Sequence, residues 1–391
     1  MNPSRSAHRG PGLPGVAATA ALAGALLVIA THVGLNVFPQ TGARGVEILR
    51  HIVGQRAVAQ LEMGALRGED AVRRALFRIR PEPRRRVWTR AAKSEHEAAP
   101  HASPPGWPPP ARSLGSMPGE GAWEPYSHSA SGRVVAARTL IQPDPERPYA
   151  FVAVVAFDLR ATRLHFVLGS EEPKSPVALP RPGRIPAADF SASKLLAAFN
   201  GGFKAEHGHF GAMVHGTVVL PPRDGLGTVA IDEDGRVRMG VWGSEILPSP
   251  EIETWRQNGP LLVDHGEINP RVDVDDPEDW GITVGHGTAT WRSALALSGD
   301  GETLYYFAGP SLTLRALARA VVATGAATAM QIDINNYWVH FDWFRPGNEH
   351  RRVEAVPLLD AMRKKSDSRY VVGFIRDFFY VTVAPAERSG D

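Results

Sequence analysis

The chain has 391 residues, no cysteine and a net charge of +2. This length allows a large domain with a substantial core. The absence of cysteine excludes disulfides, thiolate metal ligands and a cysteine nucleophile. The charge is unevenly distributed, since residues 1–113 carry +9 and the remainder carries −7. A mildly acidic main domain does not favour nucleic-acid binding, and we expect no nucleic-acid partner.

The N-terminal third predicts a membrane attachment followed by a spacer. A short basic segment, residues 1–12, precedes an apolar run, 13–38, that is long enough to span a bilayer. We predict an uncleaved transmembrane signal-anchor, with a cleaved signal peptide as the alternative. Apolar positions at helical spacing predict an amphipathic juxtamembrane helix within 39–80, whose arginines face either lipid headgroups or solvent. Residues 81–112 are proline-rich and predict an extended linker, so the folded domain spans 113–391.

The patterns within the folded domain mostly predict strands. Apolar runs flank Asp234-Gly235 and Asp300-Gly301, and an Asp-Gly pair between alternating strands is a strong hairpin signal. The runs Ala150–Asp158 and Leu164–Leu168 predict a third hairpin. We therefore expect an α+β fold, with a mixed, largely antiparallel β-sheet domain and a few packed helices after the transmembrane helix.

One helix and the strand after it are clearly predicted. An apolar stripe covers Leu312–Thr324, with Ser311 as its N-cap and Gly325 at its end. The following strand, Ala329–Asn335, alternates apolar and polar residues. Its polar residues, Gln331, Asp333 and Asn335, are therefore expected to share one face of the strand, and three polar groups there suit a site better than a core.

A glycine- and histidine-rich stretch, FNGGFKAEHGHFGAMVHG (199–216), follows an apolar strand. Glycines at such a position require positive φ or a close approach of another group to the backbone. A β-bulge or turn explains this as well as a bound ligand does. Our interpretation is that FNGGF brings backbone N–H groups to an anionic group at the end of a strand.

Four blocks occur in a characteristic order between about Gly119 and Asn336. They are FNGGF, a glycine-rich segment with its Asp-Gly hairpin, ATWRSALAL (289–297) and LTLRALARAVVATGAATAMQIDIN (312–335). In this order they resemble the phosphodiester glycosidase family. The resemblance implies a hydrolase of sugar–phosphate diesters that works outside the cytoplasm.

The resemblance also implies site residues. The family's Asn-Gly-Gly-Phe turn corresponds to Asn200, Gly201, Gly202 and Phe203. Its strand arginine corresponds to Arg292, and the aspartate after its helix corresponds to Asp333. This chain departs from the family where glycines and a serine are replaced, by Ile334, Asn335, Asn336 and Tyr337.

The chemistry of these residue types fits the same reaction. A guanidinium group binds the two oxygens of a phosphodiester bidentately, so Arg292 is a candidate clamp and Arg256 a second one. We predict that Asp333 is the proton donor or acceptor of the reaction. The other two predicted catalytic residues are Asn200 and Arg292. A structural role is the alternative for each. The predicted substrate-binding residues are Gly201, Gly202, Phe203, Asn335, Asn336, Arg256 and Asn258.

Metal binding is a separate question. His207, His209 and His215, together with Asp333, could ligate a divalent metal ion, but histidines in glycine-rich loops are usually polar loop residues. The acidic run 273–279 could bind calcium, although a solvated loop is the simpler interpretation. We expect no cofactor.

Three functional hypotheses follow. The first is a single-pass membrane hydrolase of sugar–phosphate diester bonds in envelope glycans, with its catalytic domain outside the cytoplasm. The second is a metal-dependent phosphodiesterase. The third is a non-catalytic module that binds envelope glycans and has lost activity through the replacements after Asp333.

Overall fold

The computed structural model describes residues 55–80, 87–88, 107–129, 131–274, 277–280, 287–347, 353–362 and 368–384. The chain divides into two units, 1–69 and 70–391. The described residues of the first unit belong to helix α1 (Gln55–Ile79), which continues into the second unit. The predicted basic segment and membrane span lie outside the described residues. Within the described ranges, no helix is both long and apolar enough to cross a membrane.

The second unit is built mainly from strands. Besides α1, its helices are α2 (Pro277–Trp280), α3 (Leu314–Ala323) and α4 (Arg369–Val372), with 3-10 turns at Ala205–His207 and Pro270–Asp273. The strands are β1 (Glu124–His128), β2 (Val134–Ile141), β3 (Val152–Asp158), β4 (Thr162–Val167), β5 (Leu195–Asn200), β6 (Ala212–Val214), β7 (Thr217–Leu220), β8 (Gly227–Asp232), β9 (Val237–Val241), β10 (Ile252–Gln257), β11 (Leu261–Asp264), β12 (Glu267–Ile268), β13 (Thr290–Ser298), β14 (Thr303–Leu312), β15 (Ala326–Ile334), β16 (Phe341–Pro346), β17 (Val353–Pro357) and β18 (Phe378–Val383).

These strands form three sheets. Sheet I has the order β1-β2-β3-β14-β13-β15-β11-β12, sheet II the order β7-β6-β10-β8-β9, and sheet III the order β17-β16-β5-β18-β4. All pairings between these strands of the described chain are antiparallel. The expectation of a largely antiparallel α+β domain with few helices is confirmed, with several sheets in place of one.

All three sheets share one apolar core. It contains Leu295 from sheet I, Val229 from sheet II and Phe199 from sheet III. Because side chains alternate along β13, the small residues Ala294 and Ala296 face the other side of sheet I, where α3 packs. Sheet I is therefore covered on both faces, by α3 on one and by the shared core on the other.

Both predicted Asp-Gly hairpins are confirmed. Asp234-Gly235 joins β8 to β9, and Asp300-Gly301 joins β13 to β14. Gly235 has a φ of 83° and Gly301 a φ of 74°, the left-handed conformation that such turns require of glycine.

The third predicted hairpin is wrong, although both of its strands exist. Strand β3 pairs with β2 and β14 in sheet I, whereas β4 pairs with β18 in sheet III. The short connection between them carries the chain from one sheet to another. An alternating pattern identifies a strand but not its partner: β3 pairs with the preceding strand β2 and with the distant β14, and β4 pairs with the distant β18.

Helix α3 and its glycine stop are confirmed, but the predicted N-cap is wrong. Ser311 has a φ of 58°, and its hydroxyl accepts a hydrogen bond from Arg73. Thr313 takes the capping role, because its hydroxyl accepts from the backbone N–H of Ala316 at 3.1 Å. Gly325 ends the helix with a φ of 77°.

Residues before 113 also contribute to the second unit. Asp70, in α1, accepts hydrogen bonds from Arg147 at 2.8 and 2.7 Å and from the Tyr149 hydroxyl at 3.0 Å. Trp107 is buried and donates to the Thr303 hydroxyl at 3.0 Å. The compact unit therefore includes described parts of the segments that we predicted as juxtamembrane helix and linker.

Replacing the observed N-cap, Thr313, should lower the free energy of unfolding more than replacing the predicted one, Ser311. We expect Thr313→Ala to lower the free energy of unfolding by about 1 kcal/mol, because the N–H of Ala316 loses its acceptor. Ser311→Ala, which removes only an exposed contact with Arg73, should change it by less than about 0.5 kcal/mol. Urea unfolding of both variants measures the difference, and a reversed order would restore Ser311 as the cap.

Candidate active site

The glycine turn after β5 is pressed against another segment of the protein. A Cβ on Gly201 would lie 2.6 Å from the carbonyl oxygen of Asp377, and one on Gly202 would lie 3.1 Å from the guanidinium of Arg256. The N–H of Gly201 donates to that same Asp377 carbonyl at 3.1 Å. The N–H of Phe203 donates to the side chain of Asn258 at 3.0 Å. Protein groups therefore use two of the N–H groups that we assigned to an anion.

Strand β15 contains a bulge that determines where Asp333 points. Ser293 of β13 pairs with Asp333, but the next residue, Ala294, pairs with Gln331, so Ile332 is the extra residue. Directly paired residues share a face, and neighbours along a regular strand do not. The prediction that Gln331 and Asp333 share a face is therefore wrong, since the bulge turns Asp333 to the opposite side.

Asn258 stabilises this bulge from the end of β10. Its amide nitrogen donates to the carbonyls of Gln331 at 2.6 Å and Ile332 at 3.1 Å. Its amide oxygen accepts from Phe203. One buried side chain thus joins the glycine turn, sheet II and the bulge, which is a scaffolding position for a residue predicted to bind substrate.

Asn200 lies in a second buried network beneath the same turn. Its amide nitrogen donates to the Ser293 hydroxyl at 3.0 Å, and its oxygen accepts from the Tyr306 hydroxyl at 2.9 Å. Ser293 in turn donates to the backbone carbonyl of Asp333 at 3.3 Å. Asn200 therefore positions the strand segment that carries Asp333.

Asp333 is the most strongly perturbed carboxyl group at this junction. It is 3 % exposed; its Oδ1 accepts a hydrogen bond from the N–H of Ile334 at 2.8 Å, and its Oδ2 forms an ion pair with Nη2 of Arg376 at 3.1 Å. Burial raises the pKa of Asp333 to about 7, and the nearby Asp377 contributes in the same direction. Burial outweighs the opposing charges of Arg376 and Arg256. Asp333 can therefore exchange a proton near neutral pH.

Arg376 connects Asp333 to the glycine turn. The same nitrogen, Nη2, approaches Asp333 and donates to the carbonyl oxygen of Gly202 at 2.5 Å. The guanidinium lies over the ring of Trp338, 4.7 Å from its centre. Trp338 is partly exposed, so this cation–π contact places Arg376 beside the surface of the site.

Asp377 and Arg256 form a second buried ion pair. Nε of Arg256 donates to Oδ2 of Asp377 at 2.6 Å, and both side chains are almost fully buried. Arg256 also donates to three carbonyl oxygens, those of Phe203, Phe210 and Gln257. Because its N–H groups already donate to these acceptors, Arg256 links the segments of the junction and has no pair of N–H groups left to bind a phosphate.

Four buried charged side chains therefore meet where the three sheets converge. We refer to Asp333, Asp377, Arg256 and Arg376 as the charge cluster. It holds two acidic and two basic groups, so its formal charges balance when both aspartates are ionised. Sequence reasoning missed Arg376 and Asp377. Their one signal is a charged pair directly before an apolar strand, Phe378–Val383.

Arg292 lies on the other face of sheet I. It follows from the register that Arg292 and Ser293 point to opposite faces, and Asp333 shares the face of Ser293. Arg292 donates to Gln331 at 2.7 Å and to the carbonyls of Leu312 and Thr288 at 2.9 and 3.1 Å. Burial lowers the pKa of Arg292 to about 9. The structure does not bring this predicted phosphate clamp to Asp333.

Two asparagines follow Asp333 at the partly exposed margin of the site. Asn335 has a φ of 83°, and its side chain accepts from the N–H of Tyr337 at 2.8 Å. Asn335 and Asn336 are both partly exposed, in contrast to Asp333. Of the predicted substrate-binding residues, these two and the turn lie beside Asp333, where polar groups could contact a ligand.

The three histidines do not form a metal site. His215 is exposed and pairs with Glu253 at 2.9 Å, and His207 lies 3.7 Å from Glu206. His209 is an exposed residue with a φ of 49°. Among the described residues, three potential ligand atoms instead lie together at Glu245, Asp264 and His265. In the acidic run, the described Asp273 and Asp279 pair with arginines.

Comparisons with known proteins add little. No family model matches the chain, and no curated protein matches its sequence. The chain is similar to the catalytic domain of zebrafish N-acetylglucosamine-1-phosphodiester alpha-N-acetylglucosaminidase, auto-inhibited by its pro-peptide, with 14% identity over 66% of this chain and 86% of that one and a TM-score of 0.41. A hypothetical protein from Synechocystis gives 11% identity over 64% and 63%, with a TM-score of 0.41, so the match spans under two thirds of that protein. At TM-scores of this size, the similarity carries no argument about family or activity.

The raised pKa of Asp333 predicts a pH-dependent stability. The folded protein keeps Asp333 protonated up to about pH 7, whereas the unfolded chain ionises it above its ordinary value of 3.8. Folding therefore takes up a proton between these limits, and this stabilising contribution is lost as the pH rises through about 7, on the order of a few kcal/mol. The free energy of unfolding of the Asp333→Asn variant should lack this pH-dependent contribution. Urea unfolding between pH 4 and 8 tests it, and parallel curves for the two proteins would contradict the assignment.

The position of Arg292 predicts a structural role. We expect Arg292→Lys to lower the free energy of unfolding by about 2–3 kcal/mol, because an ammonium group cannot serve the separated acceptors. Affinity for a sugar-1-phosphate diester should remain close to that of the wild type. Chemical denaturation and calorimetric binding distinguish the roles. Normal stability with lost affinity would instead support Arg292 as a phosphate clamp.

Proposed function

We propose that the chain is a hydrolase of glycosyl-1-phosphodiester bonds and that Asp333 is its acid. The observation that carries this proposal is a buried carboxyl group at a strand end, with a pKa raised to about 7 and an arginine beside it. A general acid works best when its pKa lies near the operating pH. The order of the sequence blocks, which resembles the phosphodiester glycosidase family, supports the choice of substrate.

In the proposed reaction, Asp333 gives its proton to the phosphate oxygen that leaves the anomeric carbon. The loss of that proton leaves a carboxylate next to Arg376, and the existing contact at 3.1 Å stabilises the new charge. Arg376 is thus placed to favour the ionised product state of the acid. Because a phosphate group is already a good leaving group, one acid is sufficient to assist its departure.

We propose that the substrate binds at the partly exposed margin of the site, around Asn335 and Asn336. Asn335 and Asn336 provide amide groups that can hydrogen-bond to sugar hydroxyls. Trp338 offers an aromatic face of the kind on which sugar rings pack, and its stacking with Arg376 keeps it beside the acid. Asn200, Asn258 and Arg256 are assigned to the supporting scaffold, since their polar groups contact protein partners.

The location of the enzyme is part of the proposal. Residues 13–38 would anchor it to the membrane as a single-pass protein, with the domain outside the cytoplasm, where envelope glycans are found. The partners expected are therefore the membrane and a sugar-phosphate or envelope-glycan substrate, and no nucleic acid.

Removal of the titrating group should slow turnover without abolishing binding. We expect Asp333→Asn to reduce kcat on sugar-1-phosphate diesters by about 10²–10⁴-fold, because general acid help is lost while the shape is kept. The wild type should lose activity above about pH 7, where Asp333 ionises. Rates of the full-length protein on a panel of diesters, measured across pH, provide the test.

Asp158→Asn is a matched control, because Asp158 is also buried and paired with arginines, at the end of β3. It should keep the wild-type rate. An Asp333→Asn rate equal to that of the wild type would refute the assigned acid. Loss of activity with chelator, restored by a divalent ion, would favour a metal-dependent phosphodiesterase. Tight glycan binding without hydrolysis of any diester would favour a binding module.

A further inference from the structure

Asp377 carries a carboxylate oxygen that has no partner in the part of the chain that the structure describes. Its Oδ2 accepts from Arg256 at 2.6 Å, but its Oδ1 is buried and has no hydrogen-bond partner among the described residues. The whole residue is 2 % exposed. A buried carboxylate oxygen without a donor is costly, so such an atom is normally satisfied by an enclosed water or by a ligand.

The surroundings fix Asp377 in place. Its backbone carbonyl accepts from Gly201, and the side chain is so close to the turn that a Cβ on Gly201 would lie 2.9 Å from its Cγ. Arg256 holds the other carboxylate oxygen and is itself held by three backbone carbonyls. The free oxygen therefore has a defined position, which is the property required of a group that orients a small molecule.

Asp377 is also close to the proposed acid. It acts electrostatically on Asp333, and Arg376, the residue directly before it, contacts Asp333. Glycosidic bonds are commonly hydrolysed by two carboxyl groups, one that protonates the leaving oxygen and one that activates water. The junction holds two carboxyl groups in different environments. Both oxygens of Asp333 have a partner, in Ile334 and Arg376, whereas one oxygen of Asp377 has none among the described residues.

We propose, on the basis of the function proposed above, that Asp377 is the base of the reaction and that its free oxygen holds the attacking water. Oδ1 has almost no accessible surface, so the anomeric carbon of a sugar cannot reach it, and water is the smallest donor that could be admitted beside it. Direct attack by Asp377 on the sugar is thereby disfavoured. The reaction should then proceed with inversion at the anomeric carbon.

The water oxygen forms a bond to the anomeric carbon while the bond from that carbon to the phosphate oxygen breaks. The electron pair of the broken bond stays on the phosphate oxygen, which receives the proton of Asp333. The water gives one proton to Oδ1 of Asp377. The products are the free sugar and a phosphate monoester, and solvent exchange returns the two aspartates to their starting states.

The test uses the full-length protein, a sugar-1-phosphate diester and sodium azide. We expect Asp377→Asn to lower kcat by about 10²–10⁴-fold with little change in KM, because the water loses its base while substrate contacts remain. Azide attacks without a base, so it should restore turnover and yield a glycosyl azide. Asp158→Asn, the matched buried aspartate, should show neither loss nor rescue.

A measurement on the wild type does not depend on how the variant folds. Nuclear magnetic resonance of the first-formed sugar should show inversion of the anomeric configuration, and retention would overturn the proposal. A folded Asp377→Asn protein with the wild-type rate, or with a loss that azide does not restore, would also overturn it. If the wild type hydrolyses no diester at all, the proposed function itself fails, which these other outcomes do not imply.

Discussion

The structure of the second unit depends on the charge cluster at the meeting point of its three sheets. Arg256 of sheet II pairs with Asp377, which directly precedes a strand of sheet III, and the adjacent Arg376 pairs with Asp333 of sheet I. Buried charges are expensive unless they are paired and hydrogen-bonded, and removing one partner typically costs about 3–5 kcal/mol. Each sheet therefore contributes a polar group whose buried partner lies on another sheet or directly before its strand, which specifies how the three fit together.

Several local features of the chain are required for the charge cluster to form. The turn after β5 needs glycine at position 201 because the backbone of Asp377 occupies the space of a Cβ there, and the guanidinium of Arg256 leaves little room for one at position 202. The bulge in β15 brings Asp333 to the correct face, and Asn258 supplies donors for the carbonyls around it. The unusual composition of the glycine-rich stretch thus has its first explanation in packing between segments of the protein.

Local signals predicted local structure well. The Asp-Gly turns, helix α3 and the strand after it follow from patterns within about twenty residues, and the structure contains all of them. The wrong predictions concern contacts between residues that are distant in sequence. The partner of β4 lies more than 200 residues away in β18, and the bulge that reorients Asp333 is defined by pairing with β13. Asp333 could be predicted as a site residue because it lies on a predicted strand, and Asn200 because it lies at the end of one. Arg376 and Asp377 could not, because only the folded chain brings them beside Asp333.

The placement of Arg292 and Asp333 on opposite faces of sheet I has an electrostatic consequence. The sheet separates two polar compartments, one behind α3 and one at the junction of the sheets, with apolar layers on both sides. The arginines that act most strongly on Asp333 are Arg376 and Arg256, which lie in its own compartment. The strongest influences on the acidity of Asp333 therefore lie on its own face of sheet I. A substitution behind α3 alters the packing around Arg292 without removing any direct partner of Asp333.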